Sequence, residues 1–370
     1  MSVILLIIVL VALIVVHELG HFFAAKLSGM RVDEFGVGYP PRAKGWKFGE
    51  TVYSLNWLPF GGFVKIYGED DPEGKESESI DSSRAFSSKN RALQAVVLVA
   101  GVAMNIVFAW LLITGSLLVG TPRALEDSEI ASAPDASIVF AYVAPGSPAE
   151  TNGLMAGDIV REVSSNAGTR IFAGNDPKDF TAFVAETPAG SPVTFKLTRG
   201  SEEILVSALP KAGVIESEPE RRALGVSVAV IGTVPMSLTR APIEGARYTW
   251  EITKQTAIGL SVFFISIFDL SADLTQVAGP VGIATAVGDA TNIGATSLIT
   301  LAAVISINLA IINLLPVPAL DGGRLLFVII EAITRRKIPT KVAGAVNALG
   351  FAFLILLMVA VTISDIGKLI

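Results

Sequence analysis

Along much of this chain apolar residues run together rather than alternate. Four stretches, roughly 3–25, 93–119, 297–319 and 342–364, are apolar throughout, and each is near the ~20 residues that a helix needs to cross a hydrocarbon core. A fifth run, about 256–268 (TAIGLSVFFISIF), is too short to span and reads as an interfacial or partly inserted helix. Between the runs the pattern changes. ETVYSLNWLPFGGFVKIYG at 50–68 alternates and suggests two strands around a turn. The stretch EDDPEGKESESIDSSR that follows is polar and acidic and reads as a mobile loop. Within 136–210, SIVFAYV and PVTFKLTRG have strand character, and SPAETNGLMAGDIVREVS reads as a helix, a Gly turn and a strand. A small β-rich domain is expected there. No internal repeat is found.

Composition agrees with the run pattern. Of 370 residues, 51% are hydrophobic and 17% charged, where soluble chains carry about 25% charge. The net charge is −6 and no long basic block exists, so nucleic-acid binding is not expected. The chain has no cysteine, which excludes disulfides, thiolate metal sites and a thiol nucleophile. The first apolar run lacks a basic flank and an A-x-A-like site, so it reads as a retained transmembrane helix rather than a signal peptide. Basic residues orient the spans. Arg335, Arg336, Lys337 and Lys341 lie between the third and fourth, Lys26 and Arg31 after the first, and Lys89 and Arg91 before the second. All fall on one side of a four-span chain, which should be cytoplasmic, with both termini and 120–296 outside.

The organisation expected is therefore a polytopic α-helical membrane protein of about four transmembrane helices with an inserted extracytoplasmic α+β domain. Its parts are the first span (1–27), a cytoplasmic Gly-rich β-like segment and acidic loop (28–91), the second span (92–120) and the inserted domain (121–215). A region with an interfacial helix (216–296), the third span (297–333), and a basic loop with the fourth span (334–370) complete it.

The only two histidines are His17 and His21, in His17-Glu18-Leu19-Gly20-His21. Chance would yield this HExxH arrangement about once in four thousand such chains. On a helix, positions i and i+4 share a face with Cβ atoms about 5–6 Å apart, so both imidazoles can reach one Zn²⁺ at about 2.0–2.1 Å. Glu18 stands at the general-base position of zinc hydrolases. At 1.5 Å per residue, His17 lies about 24 Å along the first span, inside the membrane, where ionisable groups mark function. The bland alternative is a pair of interfacial polar residues, which need not have ligand spacing.

Zinc needs a third protein ligand. The metzincin continuation is absent, because Ala24 and Leu27 stand where Gly and His are required. Glu34 and Glu50 are possible, and Asp321 in Asn313-Leu-Leu-Pro-Val-Pro-Ala-Leu-Asp321-Gly-Gly323 is the better candidate. Asn313, Pro316 and Pro318 interrupt an apolar run, and a broken helix at membrane depth is tolerated only where it is buried or lines a cavity. Asn313 offers an amide that can orient a substrate peptide or an oxyanion. Otherwise the segment is a helix end, with Asp321 as the N-cap of the next helix.

Together these residues resemble the site-2 protease family, in particular the RseP-type regulators. HELGH and NLLPVPALDGG match its HExxH and NxxPxPxLDG motifs, FGVGYPPR and LPFGGFVKIYGE resemble its Gly-rich cytoplasmic segment, and LVAGVAMN and GPVGIA (279–284) have counterparts in it. Val102 departs from the family's AGPxxN, which has Pro there. The resemblance implies that His17, His21 and Asp321 bind one zinc, that Glu18 activates water, and that Asn313 assists. It implies a PDZ domain at 136–210, which would hold a peptide or protein C-terminus; relatives often carry two, one clear copy is seen here, and segment 211–256 suits further strands (ALGVSVAVI) and a helix instead.

The expected activity is intramembrane zinc metalloprotease action on single-span membrane proteins, such as anti-sigma factors or signal-peptide remnants, in regulated intramembrane proteolysis at a bacterial inner membrane. The active site would face the cytoplasmic side, with the PDZ-like domain on the other. Gly61, Gly62 and Phe63 form a candidate edge strand for the unwound substrate, although glycine there also suits a turn. Two rivals remain at this stage. A metal-binding transporter would need more polar residues along its spans, and an inactive PDZ scaffold would be expected to have lost a ligand or the Glu.

Overall fold

The computed structural model describes every residue except 1, 70–81, 167, 172–175, 201, 216–217, 219, 270–276 and 369–370. The acidic loop expected after residue 69 therefore lies mostly outside the described residues. In order, the chain forms α1 (Ser2–Leu27), β1 (Val32–Phe48), β2 (Thr51–Ile66), α2 (Arg91–Val119), β3 (Pro122–Ala124), α3 (Asp127–Ile130), β4 (Ser137–Val143), α4 (Pro148–Thr151), β5 (Ile159–Ser165), β6 (Gly168–Ile171) and α5 (Pro177–Glu186). It continues with β7 (Val193–Arg199), β8 (Glu202–Ala208), β9 (Val226–Thr233), α6 (Ala241–Phe268), α7 (Pro280–Ile293), α8 (Ala295–Leu314), α9 (Asp321–Thr334) and α10 (Thr340–Gly367). Two compact units result, one from Met1–Leu118 with Ser237–Ile370, the other from Val119–Met236.

In the first unit, among the described residues, four helices are long and apolar enough to cross a membrane: Val3–Leu27, Arg91–Val119, Ala295–Leu314 and Thr340–Gly367. The first ends where Gly29 takes φ +66°. The amides of Gly29 and Met30 then bond back to the carbonyls of Lys26 and Ala25 at 3.0 and 2.9 Å, a Schellman stop that favours glycine. Buried Met30 joins Phe22, Phe35, Ile66, Phe86, Val97 and Val328 in one apolar cluster, which ties α1 and α2 to the hairpin and to α9.

The two strands after α1 are longer than the sequence pattern suggested. The alternating stretch 51–66 is a single bent strand, and its partner lies upstream in β1. Glu34–Val37 pairs with Val52–Leu55 on one side and with Gly62–Lys65 on the other. The second half of β2 is thus an outer rung of the sheet. At the hairpin turn Glu50 accepts from Lys26 at 2.7 Å and from both Arg84 guanidinium nitrogens at 2.7 and 2.8 Å.

Two expectations change. The helix expected at 256–268 begins at Ala241 and runs 28 residues; its first half carries Glu244, Arg247, Glu251 and Lys254, so hydropathy conceals it. The break expected at Asn313, Pro316 and Pro318 is present and divides the third span, 297–333, into two helices. The first stops at Leu314 and the second starts at Asp321, because Pro316 and Pro318 supply no backbone donors. The GPVGIA stretch opens a separate helix, α7, whose Gly282 amide donates to the buried Asp365 of α10 at 2.8 Å.

The second unit is a seven-stranded sheet in the order β3-β9-β4-β5-β7-β8 with β6 beside β5. Phe180 of α5 packs on Phe140 and Phe195 in its core. The unit closes at residue 236 rather than 215, because β9 pairs with both β4 and β3 and completes the sheet. The SPAETNGLMAGD stretch is structural. Ser147 caps α4 by accepting from the Glu150 amide, and Asp158, 1% exposed, accepts from Arg199 at 2.7 and 2.8 Å.

Arg84 first, then Lys26, hold the Glu50 carboxyl down at about 2 from an ordinary 4.5. A carboxyl with a lowered value stabilises the fold above its ordinary range and ceases to as pH falls through the lowered one. The melting advantage of wild type over Glu50→Gln should therefore be full above about pH 4.5 and vanish toward pH 2. In the second unit, Arg199→Leu strands the Asp158 charge and should cost about 3 kcal/mol, measured by denaturant unfolding of the full chain.

Candidate metal centre and active site

α1 carries His17 and His21 on one face, one turn apart, and both are buried. Glycine sets how near the next helix comes. A Cβ on Gly20 would fall 2.8 Å from Gly101 Cα of α2, and one on Gly101 would fall 2.7 Å from His21 Cε1 and 2.8 Å from His17 Cε1. Any larger residue at either position would separate the helices. The close approach brings the Val97 carbonyl within 2.8 Å of His21 Nδ1. A proton held on Nδ1 by that bond leaves Nε2 free as a ligand nitrogen. On the same face of α2, Asn105 Nδ2 lies 3.4 Å from His17 Nδ1.

Asp321 arrives through the broken segment 315–320. Its two following glycines let that segment fold over the start of α9: a Cβ on Gly323 would meet Pro318 Cα at 2.9 Å. From the other side α10 supports the same loop, with Asn347 Oδ1 accepting from the Ala319 amide at 3.3 Å and Gly350 close against Pro318. Ala319 itself takes φ +76°, a left-handed conformation that a non-glycine residue adopts only when its surroundings impose it. Asp321 does not cap α9, whose N-cap is Leu320 with no side-chain bond. Its Oδ2 instead stands 2.8 Å from His17 Nε2 and 3.1 Å from His21 Nε2, and the two Nε2 atoms are 3.1 Å apart.

This donor set suits zinc. Two nitrogens and one carboxylate oxygen form a near-equilateral triangle, and ligands about 2.0–2.1 Å from a tetrahedral zinc sit about 3.3 Å from one another. Three protein ligands leave a fourth position open, the pattern of catalytic rather than structural zinc. The alternative carboxylates are engaged elsewhere: Glu50 with Lys26 and Arg84, and Glu34 with Arg42 at 2.7 Å.

Two cavities meet beside the triangle, and Glu18, Tyr39, Gly62, Ala319 and Asp321 line both. One, about 640 Å³, is walled largely by apolar α1 residues from Val3 to Ile14, with Leu309 and Asn313 opposite. The other, about 430 Å³, is lined by Lys65, Glu69 and Arg324, with His21 at its end; Glu69 and Arg324 form an ion pair. Of the residues the sequence singled out, Asn313 therefore lines the first cavity with Glu18 and Asp321. Gly62 lies in the sheet rung beside Glu18, since a Cβ there would be 3.5 Å from Glu18 Cγ. Phe63 stacks on Tyr39 at 6.2 Å, and the Val64 main chain is hydrogen-bonded to Glu18. The sequence reading did not assign Val97, Gly101, Asn105 or Tyr39. The four-residue steps from Val97 to Gly101 to Asn105 put those three on one helix face, a signal available in VLVAGVAMN at 97–105.

The profile of peptidase family M50 matches residues 5–357. The chain belongs to peptidase family M50. The M50 chain is a zinc metalloprotease, and its relatives carry names of that class. One from Clostridium perfringens is 36% identical over 355 residues, 96% of this chain and 95% of the relative. The zinc metalloprotease RasP of Geobacillus kaustophilus is 28% identical, covering 99% of this chain and 98% of its own length. The membrane metalloprotease ARASP of Arabidopsis thaliana, a chloroplastic protein, is 28% identical over 96% of this chain and 77% of its own.

Gly101→Val should force α2 away from both imidazoles. Zinc content after gel filtration in detergent should fall at least several-fold below wild type while the helical circular dichroism signal is kept. Unchanged zinc would mean that the two helices do not approach as described.

Proposed function

We propose that this M50 metalloprotease hydrolyses peptide bonds within the membrane-spanning segments of single-span membrane proteins, with His17, His21 and Asp321 holding one zinc and Glu18 acting as general base. The observation that carries the reading is the meeting of an apolar and a polar cavity at Glu18 and Asp321. Zinc bound there would act as a Lewis acid, polarising both the scissile carbonyl and the attacking water. Glu18 takes the proton from that water and delivers it to the leaving amine. Asn313, on the wall opposite α1, donates its amide to the substrate carbonyl and steadies the developing negative charge.

A substrate helix hides its carbonyls in its own hydrogen bonds, so it must unwind to react. An extended segment can then add to the outer rung of the hairpin at Gly61, Gly62 and Phe63, where main-chain bonds hold it beside Glu18. The apolar cavity suits the substrate's side chains, and the polar one suits the delivery of water. The second unit fits a PDZ-like role for similar reasons. A cavity of about 100 Å³ between α5 and the start of β9 is lined by Phe180, Val184, Arg221 and Arg222, which suits a peptide C-terminus with its carboxylate toward the arginines. The basic residues beside the spans favour a cytoplasmic active-site side, with the PDZ-like unit outside, at a bacterial inner membrane. Substrates shortened outside before the intramembrane cut, as in regulated intramembrane proteolysis, would suit that arrangement.

The test is cleavage of a model single-span substrate by detergent-purified protein, wild type beside Glu18→Gln and Asp321→Ala. Wild type should cut and hold one zinc. Glu18→Gln should hold zinc with cleavage reduced at least 10²-fold, and Asp321→Ala should lose both. Cleavage by Glu18→Gln at the wild-type rate would overturn the assignment of the base, and zinc retained by Asp321→Ala would overturn the ligand set.

A further inference from the structure

We propose that Asn105 is a positioning residue for the metal centre: its side-chain amide oxygen accepts the His17 Nδ1 proton and so presents Nε2 of His17 to the zinc. The inference rests on the reading of His17 as a ligand, and it concerns a residue outside the ligand set.

Asn105 lies on α2 at 0% exposure, in a helix apolar enough to span a membrane. A primary amide buried in such a helix costs free energy unless it is hydrogen-bonded. Its side chain reaches His17 Nδ1 at 3.4 Å through Nδ2, and its Oδ1 meets no partner. The oxygen and nitrogen of an amide are assigned from their surroundings rather than from shape, and here the surroundings favour the opposite assignment. With His17 Nε2 turned to Asp321 and His21, a neutral ring that ligates through Nε2 carries its proton on Nδ1. An amide NH₂ facing that proton sets donor against donor. Rotating the amide by a half-turn places the orphaned oxygen against the N–H and converts a repulsive contact into a hydrogen bond.

The same helix does for His21 what this assignment does for His17. The Val97 carbonyl accepts from His21 Nδ1 at 2.8 Å, Gly101 makes room for both rings, and Asn105 follows four residues later. α2 thus offers one acceptor to each imidazole, from positions two turns apart on one face. Asn105 also touches α8, but through its backbone: Ser306 Oγ donates to the Asn105 carbonyl at 2.9 Å. Replacing the side chain leaves that contact in place, so a packing role and a positioning role can be separated.

The experiment uses the full chain in detergent, zinc-loaded, in competition with a chelator of known zinc affinity. Wild type is compared with Asn105→Leu, Asn105→Asp and His17→Ala. The chain has only two histidines, so ¹⁵N-histidine labelling resolves the protonation of every ring nitrogen in the same samples. The expected result is a loss of about 10- to 100-fold in zinc affinity for Asn105→Leu. Asn105→Asp, which keeps an acceptor, should stay within a few-fold of wild type. In wild type the His17 Nδ1 should be the protonated nitrogen, and in metal-free Asn105→Leu the proton should redistribute toward Nε2. Wild-type zinc affinity in Asn105→Leu, or an unchanged ring-nitrogen pattern, would overturn the inference. Equal losses for Leu and Asp with a lower melting temperature would overturn it in favour of packing. If His17→Ala holds zinc as tightly as wild type, the ligand reading itself falls, and that outcome is distinct from the others.

Discussion

Three donor atoms, Nε2 of buried His17, Nε2 of buried His21 and Oδ2 of half-buried Asp321, lie within 3.1 Å of one another, and the first unit is built so that they can. Charged or strongly polar groups taken out of water must find partners, and here each finds them among the others and on α2. Gly20 and Gly101 set the distance between α1 and α2. The paired prolines end α8, the two glycines after Asp321 let the chain fold back, and Asn347 and Gly350 of α10 brace the loop from behind. Five helices, α1, α2, α8, α9 and α10, thus bear on one triangle of atoms, and a change in any of these packing contacts reaches it.

The hairpin between α1 and α2 gives the triangle its two environments. It is pinned to the end of α1 through Glu50 and Lys26 and to the chain before α2 through Arg84. Its outer rung runs beside Glu18. On one side of that rung the walls are the apolar residues of α1, and on the other they are Lys65, Glu69 and Arg324. On the proposed function, an apolar peptide and water must reach the same atom, and the two cavities would give each a separate route. Tyr39, stacked on Phe63, stands between the two.

The second unit folds around its own aromatic core and the ion pair of buried Asp158 with half-buried Arg199. The SPAETNGLMAGD stretch, read from the sequence as a helix and a Gly turn before a strand, sets chain geometry: a capped short helix, then a turn that delivers Asp158 to Arg199. A short motif of polar and glycine residues can serve chemistry or chain geometry, and only the partners of its side chains distinguish the two.

Much of the first unit was legible because its signals are local. Span length and hydropathy follow from a bilayer's thickness, and the spacing of His17, Glu18 and His21 follows from 3.6 residues per turn. Asp321 stood out because prolines and glycines mark a break wherever they fall. ALGVSVAVI has the strand character of β9 and a helix was expected in 211–256, but the partners of β9, the continuity of α6 from Ala241 and the separate α7 were hidden, since distant strand pairing and amphipathic turns leave no run to read. What only tertiary structure decided is which atoms meet. Asp321 lies 304 residues from His17 and Asn105 lies 88, and no periodicity spans such distances. Their meeting depends on how closely two glycines let two helices pack and on where a broken helix turns back. Those are properties of the packed chain, and the order of residues records only that they are possible.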